Sequence, residues 1–131
     1  MKERLQALLE NSYSPVYNYP VAAIVKCTDG STFEGVNVET SSPASGICAE
    51  RNALYSAIAA GYKKENIEAI YIMNKTDNIC FPCFICRQAL NDLCNENTLI
   101  VSFNYKGDKS TSVTVKDLCP FSFGTEDLNV K

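Results

Sequence analysis

Two cysteine motifs, each at the start of a predicted helix, constrain the fold of this chain more than any other feature. The first is Cys-Ala-Glu at residues 48–50, and the second is Pro-Cys-Phe-Ile-Cys at residues 82–86. A helix N-terminus favours the thiolate form of cysteine, which is the form that binds zinc. The two-residue gap between Cys83 and Cys86 lets one helical turn present both sulfurs to one ion. Together the motifs supply three candidate zinc ligands: Cys48, Cys83 and Cys86.

The chain has seven cysteines and no histidine among its 131 residues. The number of cysteines is odd and nothing indicates secretion, so metal ligands or catalytic thiols are favoured over disulfides. The absence of histidine excludes Ser-His-Asp and Cys-His nucleophile systems and every zinc site that needs an imidazole. Proton transfer near neutral pH is then left to Asp, Glu, Lys, Tyr, Cys or a metal-bound water.

Three protein ligands leave the fourth tetrahedral position of zinc for water, which is typical of a catalytic site. Zinc lowers the pKa of such a water to about 7. Glu50, two residues after Cys48, can take a proton from that water and return it to a substrate. Either Arg51 or Arg87 can donate hydrogen bonds to the sulfurs and offset the charge of three thiolates.

A structural zinc site is the competing interpretation of the same cysteines. Cys80 precedes Cys83 by three residues and can act as a fourth ligand, which would close the site. The cysteines alone do not decide between the two. Glu50 and Pro82 favour a catalytic site. The zinc deaminase signature has a metal ligand two residues before a Glu, followed later in the chain by P-C-x-x-C, and this sequence matches its three-cysteine form.

The hydrophobic pattern predicts an α/β fold in which helices and strands alternate. Helices are expected over residues 2–11, 48–60 and 83–93, and strands over 21–27, 32–38, 67–73, 98–103 and 111–115. A helix that joins two strands indicates a βαβ unit and a partly parallel sheet. We therefore expect one domain, residues 1–131, with a mixed five-stranded sheet and helices on its faces.

Charge and hydropathy exclude two classes of partner. Twelve basic against fifteen acidic residues give a net charge of −3, and no basic stripe that would bind a nucleic-acid backbone is visible. The longest strongly apolar stretch, residues 21–25, is too short to span a membrane, and no signal peptide is visible. We expect a cytoplasmic protein that acts on a small molecule, with neither nucleic acid nor membrane as partner.

Five ordered segments give nearly the whole chain a resemblance to the small homotetrameric cytidine deaminase family. They are residues 14–23, 35–39, 46–51, 82–88 and 118–128. The resemblance implies a three-layer cytidine-deaminase-like fold with one Zn²⁺ per chain. It also implies hydrolytic deamination of free cytidine and 2′-deoxycytidine to uridine and 2′-deoxyuridine, with release of ammonia, in pyrimidine salvage.

The resemblance further implies a role for each matching residue at the metal. Cys48, Cys83 and Cys86 would ligate zinc, and Glu50 would be the catalytic proton shuttle. Arg51 and Gln88 would support the ligands from the surrounding shell.

The family resemblance also implies which residues contact the substrate. Asn37 and Glu39 would bind the ribose 3′-hydroxyl, and the backbone of Ala49 would hold the pyrimidine edge together with the Glu50 carboxylate. Tyr19 would stand against the base where the family usually has Phe. Phe123 would reach into the site of a neighbouring subunit of a homotetramer.

Some residues depart from the family pattern. Phe84 replaces the usual Gly of P-C-G-x-C, and Pro43 occupies a position that is often aromatic. These changes bear on substrate range and subunit contacts more than on the reaction. Blasticidin-type aminoacyl-nucleoside deaminases have similar zinc motifs and remain an alternative, although Asn37, Glu39 and Phe123 favour plain nucleosides. A non-catalytic zinc module that uses Cys80 is the other alternative.

Overall fold

One five-stranded sheet organises the chain, which the computed structural model describes over residues 1–128. Residues 129–131 of the expected domain lie outside this range. The helices are α1 (Lys2–Leu9), α2 (Ala49–Ala59), α3 (Phe84–Leu93) and α4 (Val115–Leu118). The strands are β1 (Val21–Cys27), β2 (Thr32–Val36), β3 (Ile67–Asn74), β4 (Leu99–Phe103) and β5 (Ser110–Thr114). Within residues 1–128, no helix combines the length and apolar character needed to cross a membrane.

The sheet is mixed, with strand order β2-β1-β3-β4-β5. Strands β3 and β4 are parallel, and the other neighbouring pairs are antiparallel. The parallel pair is joined through α3, as expected for a βαβ crossover. The predicted α/β class and mixed five-stranded sheet are therefore confirmed.

Alternate residues of β1 pack against helices on opposite faces of the sheet. Ala22 and Ile24 belong to a buried cluster with three leucines of α1, whereas Ala23 and Val25 belong to the core that contains α2 and α3. All four of these β1 side chains are buried. Burial on both faces explains why β1 is a continuous apolar run rather than an alternating one. The sheet is thus the middle of three layers.

Most predicted bounds differ from the structure by one or two residues, and two strand ends show why. Strand β2 ends at Val36, because Val38 leaves the ladder and forms isolated bridges with Tyr13 and Ile47. Val115, predicted to end the last strand, begins α4 instead. Thr114 caps this helix: its hydroxyl accepts from the Asp117 N–H at 3.2 Å, and the Asp117 carboxylate accepts from the Thr114 N–H at 2.9 Å.

Strand β2 and helix α2 approach each other closely at Gly35. A Cβ atom built on Gly35 would lie 2.5 Å from the backbone nitrogen of Ala53 and 2.7 Å from the carbonyl oxygen of Ala49. Next to it, the side-chain amide of Asn52 donates to the Val36 carbonyl at 3.0 Å. The missing side chain at Gly35 therefore sets the depth at which α2 lies against the sheet.

Candidate active site

The structure brings together three thiols from the starts of α2 and α3. Cys48 is the N-cap of α2, Cys83 is the N-cap of α3, and Cys86 lies in the first turn of α3. Their sulfur atoms all lie within 4.8 Å of one another, and the Sγ atoms of Cys48 and Cys83 are 3.6 Å apart. The two helix N-termini thus meet at one point, as the sequence motifs require.

The spacing and the surroundings of these sulfurs fit a zinc ion. Tetrahedral zinc with Zn–S bonds of about 2.3 Å holds its sulfurs about 3.8 Å apart, close to the observed spacing. A hydrogen bond from the Cys86 thiol and one from the Arg51 guanidinium lower the pKa of the Cys48 thiol, although burial opposes them. The Arg51 Nη2 atom lies 3.5 Å from the Cys48 sulfur. A cation at this distance offsets part of the charge that three thiolates carry.

Glu50 is a buried carboxyl group beside the thiols. Only 7% of the residue is exposed, and burial raises the pKa of its carboxyl group to about 7. The negative charge of Cys48 raises this pKa further. A carboxyl group that titrates near neutral pH can both accept and donate a proton. In a chain without histidine, Glu50 is therefore suited to move protons at this site.

Cys48, Cys83 and Glu50 line a cavity of about 820 Å³, and the buried Cys86 sulfur lies behind this wall, within 4.8 Å of the other two sulfurs. Four of the predicted substrate-binding residues also line it: Tyr19, Asn37, Glu39 and Ala49. Phe123 does not line the cavity of its own chain, and 55% of it is exposed. The structure therefore brings together the predicted site residues except Phe123 and Gln88.

Asn37 connects the cavity wall to the aromatic segment that precedes β1. Its side-chain oxygen accepts from the Ser12 hydroxyl at 2.5 Å and from the Val21 N–H at 2.9 Å. Its side-chain nitrogen donates to the Tyr19 carbonyl at 2.8 Å. Asn37 thus fixes Tyr19, which is another wall residue, from the end of β2.

Glu39 holds the same segment at a second point. One of its carboxylate oxygens accepts from the Val16 N–H at 2.9 Å, and the other accepts from the Tyr17 N–H at 3.2 Å. A carboxylate offers about four lone-pair sites, so these bonds leave Glu39 able to accept from a hydroxyl group in the cavity.

Tyr19 and Cys80 form a neutral part of the wall. Burial and a hydrogen bond with Cys80 raise the pKa of the Tyr19 phenol to about 12. Burial also raises the pKa of the Cys80 thiol, whose sulfur accepts from the Asn74 amide at 3.3 Å. Within residues 1–128, the cluster that can hold a metal contains Cys48, Cys83 and Cys86 but not Cys80. The structure therefore gives no support to a closed four-cysteine site.

Arg87 does not share the role of Arg51. Its Nε donates to the Pro82 carbonyl at 2.8 Å, and its Nη1 donates to the Leu118 carbonyl at 3.3 Å. The guanidinium also lies over the Phe84 ring, 4.3 Å from the ring centroid. Arg87 thus fastens the turn before Cys83 to the end of α4, and Phe84 packs outside this link.

The structure also gives Gln88 a different contact from the predicted one. Its Nε2 donates to the Phe123 carbonyl at 2.8 Å and to the Asp92 carboxylate at 3.0 Å, rather than to a thiol. Asn91, which the sequence interpretation did not single out, donates to the same carbonyl at 3.2 Å. No local signal identifies this contact, because the donors and the acceptor are more than thirty residues apart.

Comparisons with known proteins agree on one family. A family model described as the cytidine and deoxycytidylate deaminase zinc-binding region matches residues 1–102, which include the three thiols and Glu50. Cytidine deaminase of Halalkalibacterium halodurans is 36% identical over 129 residues, 98% of this chain and 95% of that protein. Cytidine deaminase of Sporosarcina psychrophila is 33% identical over 120 residues, 92% of this chain and 86% of that protein. The crystal structure of cytidine deaminase from Burkholderia pseudomallei matches with a TM-score of 0.86 and 37% identity, covering 92% of this chain and 94% of that chain.

Proposed function

The chain belongs to the cytidine deaminase family, and we propose that it hydrolyses free cytidine and 2′-deoxycytidine to uridine and 2′-deoxyuridine, with release of ammonia, in pyrimidine salvage. The observation that carries this proposal is that the cluster of Cys48, Cys83 and Cys86 lies at the wall of a cavity that Cys48, Cys83 and Glu50 line. Family membership and the thiol cluster together identify zinc as the cofactor.

The charges of the cavity support a free nucleoside rather than a nucleotide. Among the cavity-lining residues in the described part of the chain, Arg51 is the single cation, and it donates to Cys48. Glu39 and Glu50 contribute carboxyl groups to the same cavity. A 5′-phosphate would enter without a free arginine or lysine to pair with it. Discrimination against deoxycytidylate is therefore part of the proposal.

We assign the proton transfers of the reaction to Glu50. Cys48, Cys83 and Cys86 would hold the zinc ion, which would activate the water molecule that adds to C4 of the cytosine ring. Glu50 accepts a proton from that water and delivers it to N3 of the ring. It then takes the second proton from the hydroxyl group now on C4 and gives it to the amino group, and the C4–N bond breaks as ammonia leaves and the C4 carbonyl forms. A pKa of about 7 lets the carboxyl group take part in both directions. The Ala49 backbone and the Glu50 carboxyl group hold the pyrimidine edge.

The remaining wall residues orient the nucleoside. In this proposal Asn37 and Glu39 bind the 3′-hydroxyl of the ribose, and Tyr19 packs against the base. Both polar residues also hold the segment that carries Tyr19, so ribose and base contacts are mechanically linked. A 3′-hydroxyl is present in both ribose and deoxyribose, which fits the acceptance of both nucleosides.

The proposed assembly is a cytoplasmic homotetramer in which Phe123 completes a neighbour's site. Phe123 is more than half exposed and lies outside the cavity of its own chain. Phe84, Ile85 and Phe121 are also well exposed. The exposure of these large apolar side chains supports the proposal that another chain covers them.

A panel of substrates tests the proposal. Loss of the ultraviolet band is followed for cytidine, 2′-deoxycytidine, deoxycytidylate and blasticidin, and zinc is measured on the same sample. We expect turnover of both nucleosides, little turnover of the other two compounds, and about one zinc per chain. A protein that contains about one zinc per chain but turns over neither nucleoside would refute the proposal. A protein that prefers blasticidin or deoxycytidylate would be a deaminase of that compound instead.

A further inference from the structure

Two amide side chains on α3 bind one carbonyl group of the C-terminal segment, which we define as residues 120–128. The Phe123 carbonyl accepts from Gln88 Nε2 at 2.8 Å and from Asn91 Nδ2 at 3.2 Å. Residues three apart lie on the same face of a helix, so both donors approach from one side. A carbonyl oxygen has two lone pairs, and the two amides engage both. We call Gln88 and Asn91 the amide clamp.

The amide clamp is the principal polar attachment of the C-terminal segment. Within the described residues, these two bonds are the hydrogen bonds that join residues 120–128 to another element. The other bonds of the segment are internal: the Gly124 N–H donates to the Asp127 carboxylate at 2.8 Å, and the Asp127 N–H donates to the Gly124 carbonyl at 3.0 Å. Phe121 is fully exposed and adopts a positive φ of 52°, so it adds no anchorage through burial.

The amide clamp therefore holds the backbone of Phe123, a residue that does not line the cavity of its own chain. Phe123 lies outside its own cavity, and its exposed side chain is free to meet a second copy. We propose that Gln88 and Asn91 are positioning residues for the reaction, which hold Phe123 so that its ring completes the cavity of a neighbouring copy. This inference rests on the proposed function, in which Phe123 acts across subunits.

Loss of the amide clamp is expected to weaken substrate binding and to leave the metal site intact. The thiols lie at the N-termini of α2 and α3, and neither clamp residue contacts them. Without these two neutral hydrogen bonds, the C-terminal segment is no longer held in position, and Phe123 contributes less to substrate binding. We expect KM to rise by about five- to tenfold. The kcat value stays nearly unchanged, because the groups that move protons are untouched.

The test uses substitutions that keep size and remove the donors. Gln88→Met and Asn91→Leu are combined, and KM, kcat and zinc content are measured for cytidine. Asp92→Ala is the matched control, because Asp92 is the second acceptor of Gln88 and does not contact Phe123. We expect the KM increase in the double variant, full zinc in both proteins, and wild-type kinetics for the control.

A double-mutant cycle separates positioning from a general structural effect. In a Phe123→Ala background, the clamp substitutions should add no further increase in KM, because they act through that ring. Mixing clamp-variant subunits with Glu50→Gln subunits should restore a low KM, since the second protein supplies a correctly held Phe123 to the active cavities of the first.

Three results would overturn the inference while the proposed function stands: an unchanged KM in the double variant, additive increases in the Phe123→Ala background, or mixed subunits whose KM stays high. A wild-type protein that does not turn over cytidine would instead remove the proposed function, and the inference with it.

Discussion

Replacing Gly35 with alanine would insert a methyl group where β2 and α2 are in close contact. Three atoms of α2 would lie within 3.0 Å of the new Cβ: the Ala53 nitrogen at 2.5 Å, the Ala49 oxygen at 2.7 Å and the Asn52 Cβ at 2.9 Å. Two of these atoms belong to the backbone, so a change of side-chain rotamer cannot relieve the contact. The helix itself has to move.

The distances give the size of this movement and its effect. Ordinary van der Waals contact lies at 3.4–4 Å, so the start of α2 has to shift by about 1 Å. Overpacking of this kind costs about 1–3 kcal/mol of stability. The same shift displaces Cys48 and Glu50, and a misplacement of about 1 Å costs about 100-fold in rate. We therefore expect a kcat loss much larger than the loss of stability alone would produce.

Urea unfolding, zinc affinity and cytidine kinetics measured on one preparation would check this expectation. Thr32→Ala is the control, because Thr32 is an exposed residue of the same strand. The control should match the wild type in all three measurements. A Gly35→Ala protein with normal stability, normal zinc affinity and normal kcat would refute the argument that this contact positions the metal site.

Two further outcomes follow from other contacts. Cys80→Ala should retain zinc and most of the activity, because Cys80 lies outside the thiol cluster; loss of zinc from this variant would restore the closed-site interpretation. Hydrogen bonds from the Tyr62 hydroxyl and the Ser31 backbone hold the pKa of Asp29 below its usual value. This contribution to stability is present above the unfolded pKa of about 4 and is lost as pH falls through the folded pKa. Tyr62→Phe should therefore lower the Tm near neutral pH more than at about pH 3, and an equal loss at both pH values would contradict this assignment.

The ligand-bearing helix starts were predictable because their signals are local. The helical apolar pattern begins directly after each cysteine, and the structure places Cys48 and Cys83 at the N-caps of α2 and α3. The bounds of β1 also agree with the prediction, since a strand buried on both faces is a continuous apolar run. The start of α4 was missed, although the Thr-x-x-Asp spacing from Thr114 to Asp117 is a capping pattern.

The contacts of Asn37, Glu39 and Gln88 could not be predicted from the same signals. Asn37 and Glu39 bond to backbone groups of the segment before β1, more than fifteen residues away, and Gln88 reaches a carbonyl 35 residues away. Periodicity tells which face of an element is apolar, but it carries no information on where a distant loop passes. The hydrogen-bond partners of such side chains can be identified only from the tertiary structure.

In the proposed reaction, Glu50 moves the protons of a zinc-dependent deamination. Glu50→Gln tests it most directly, because the amide keeps the size of the side chain and cannot exchange a proton near neutral pH. Zinc content and cytidine turnover are measured on the same protein. Our account predicts about one zinc per chain and a kcat lower by about 10²- to 10⁴-fold. Turnover close to that of the wild type, with zinc still bound, would contradict it.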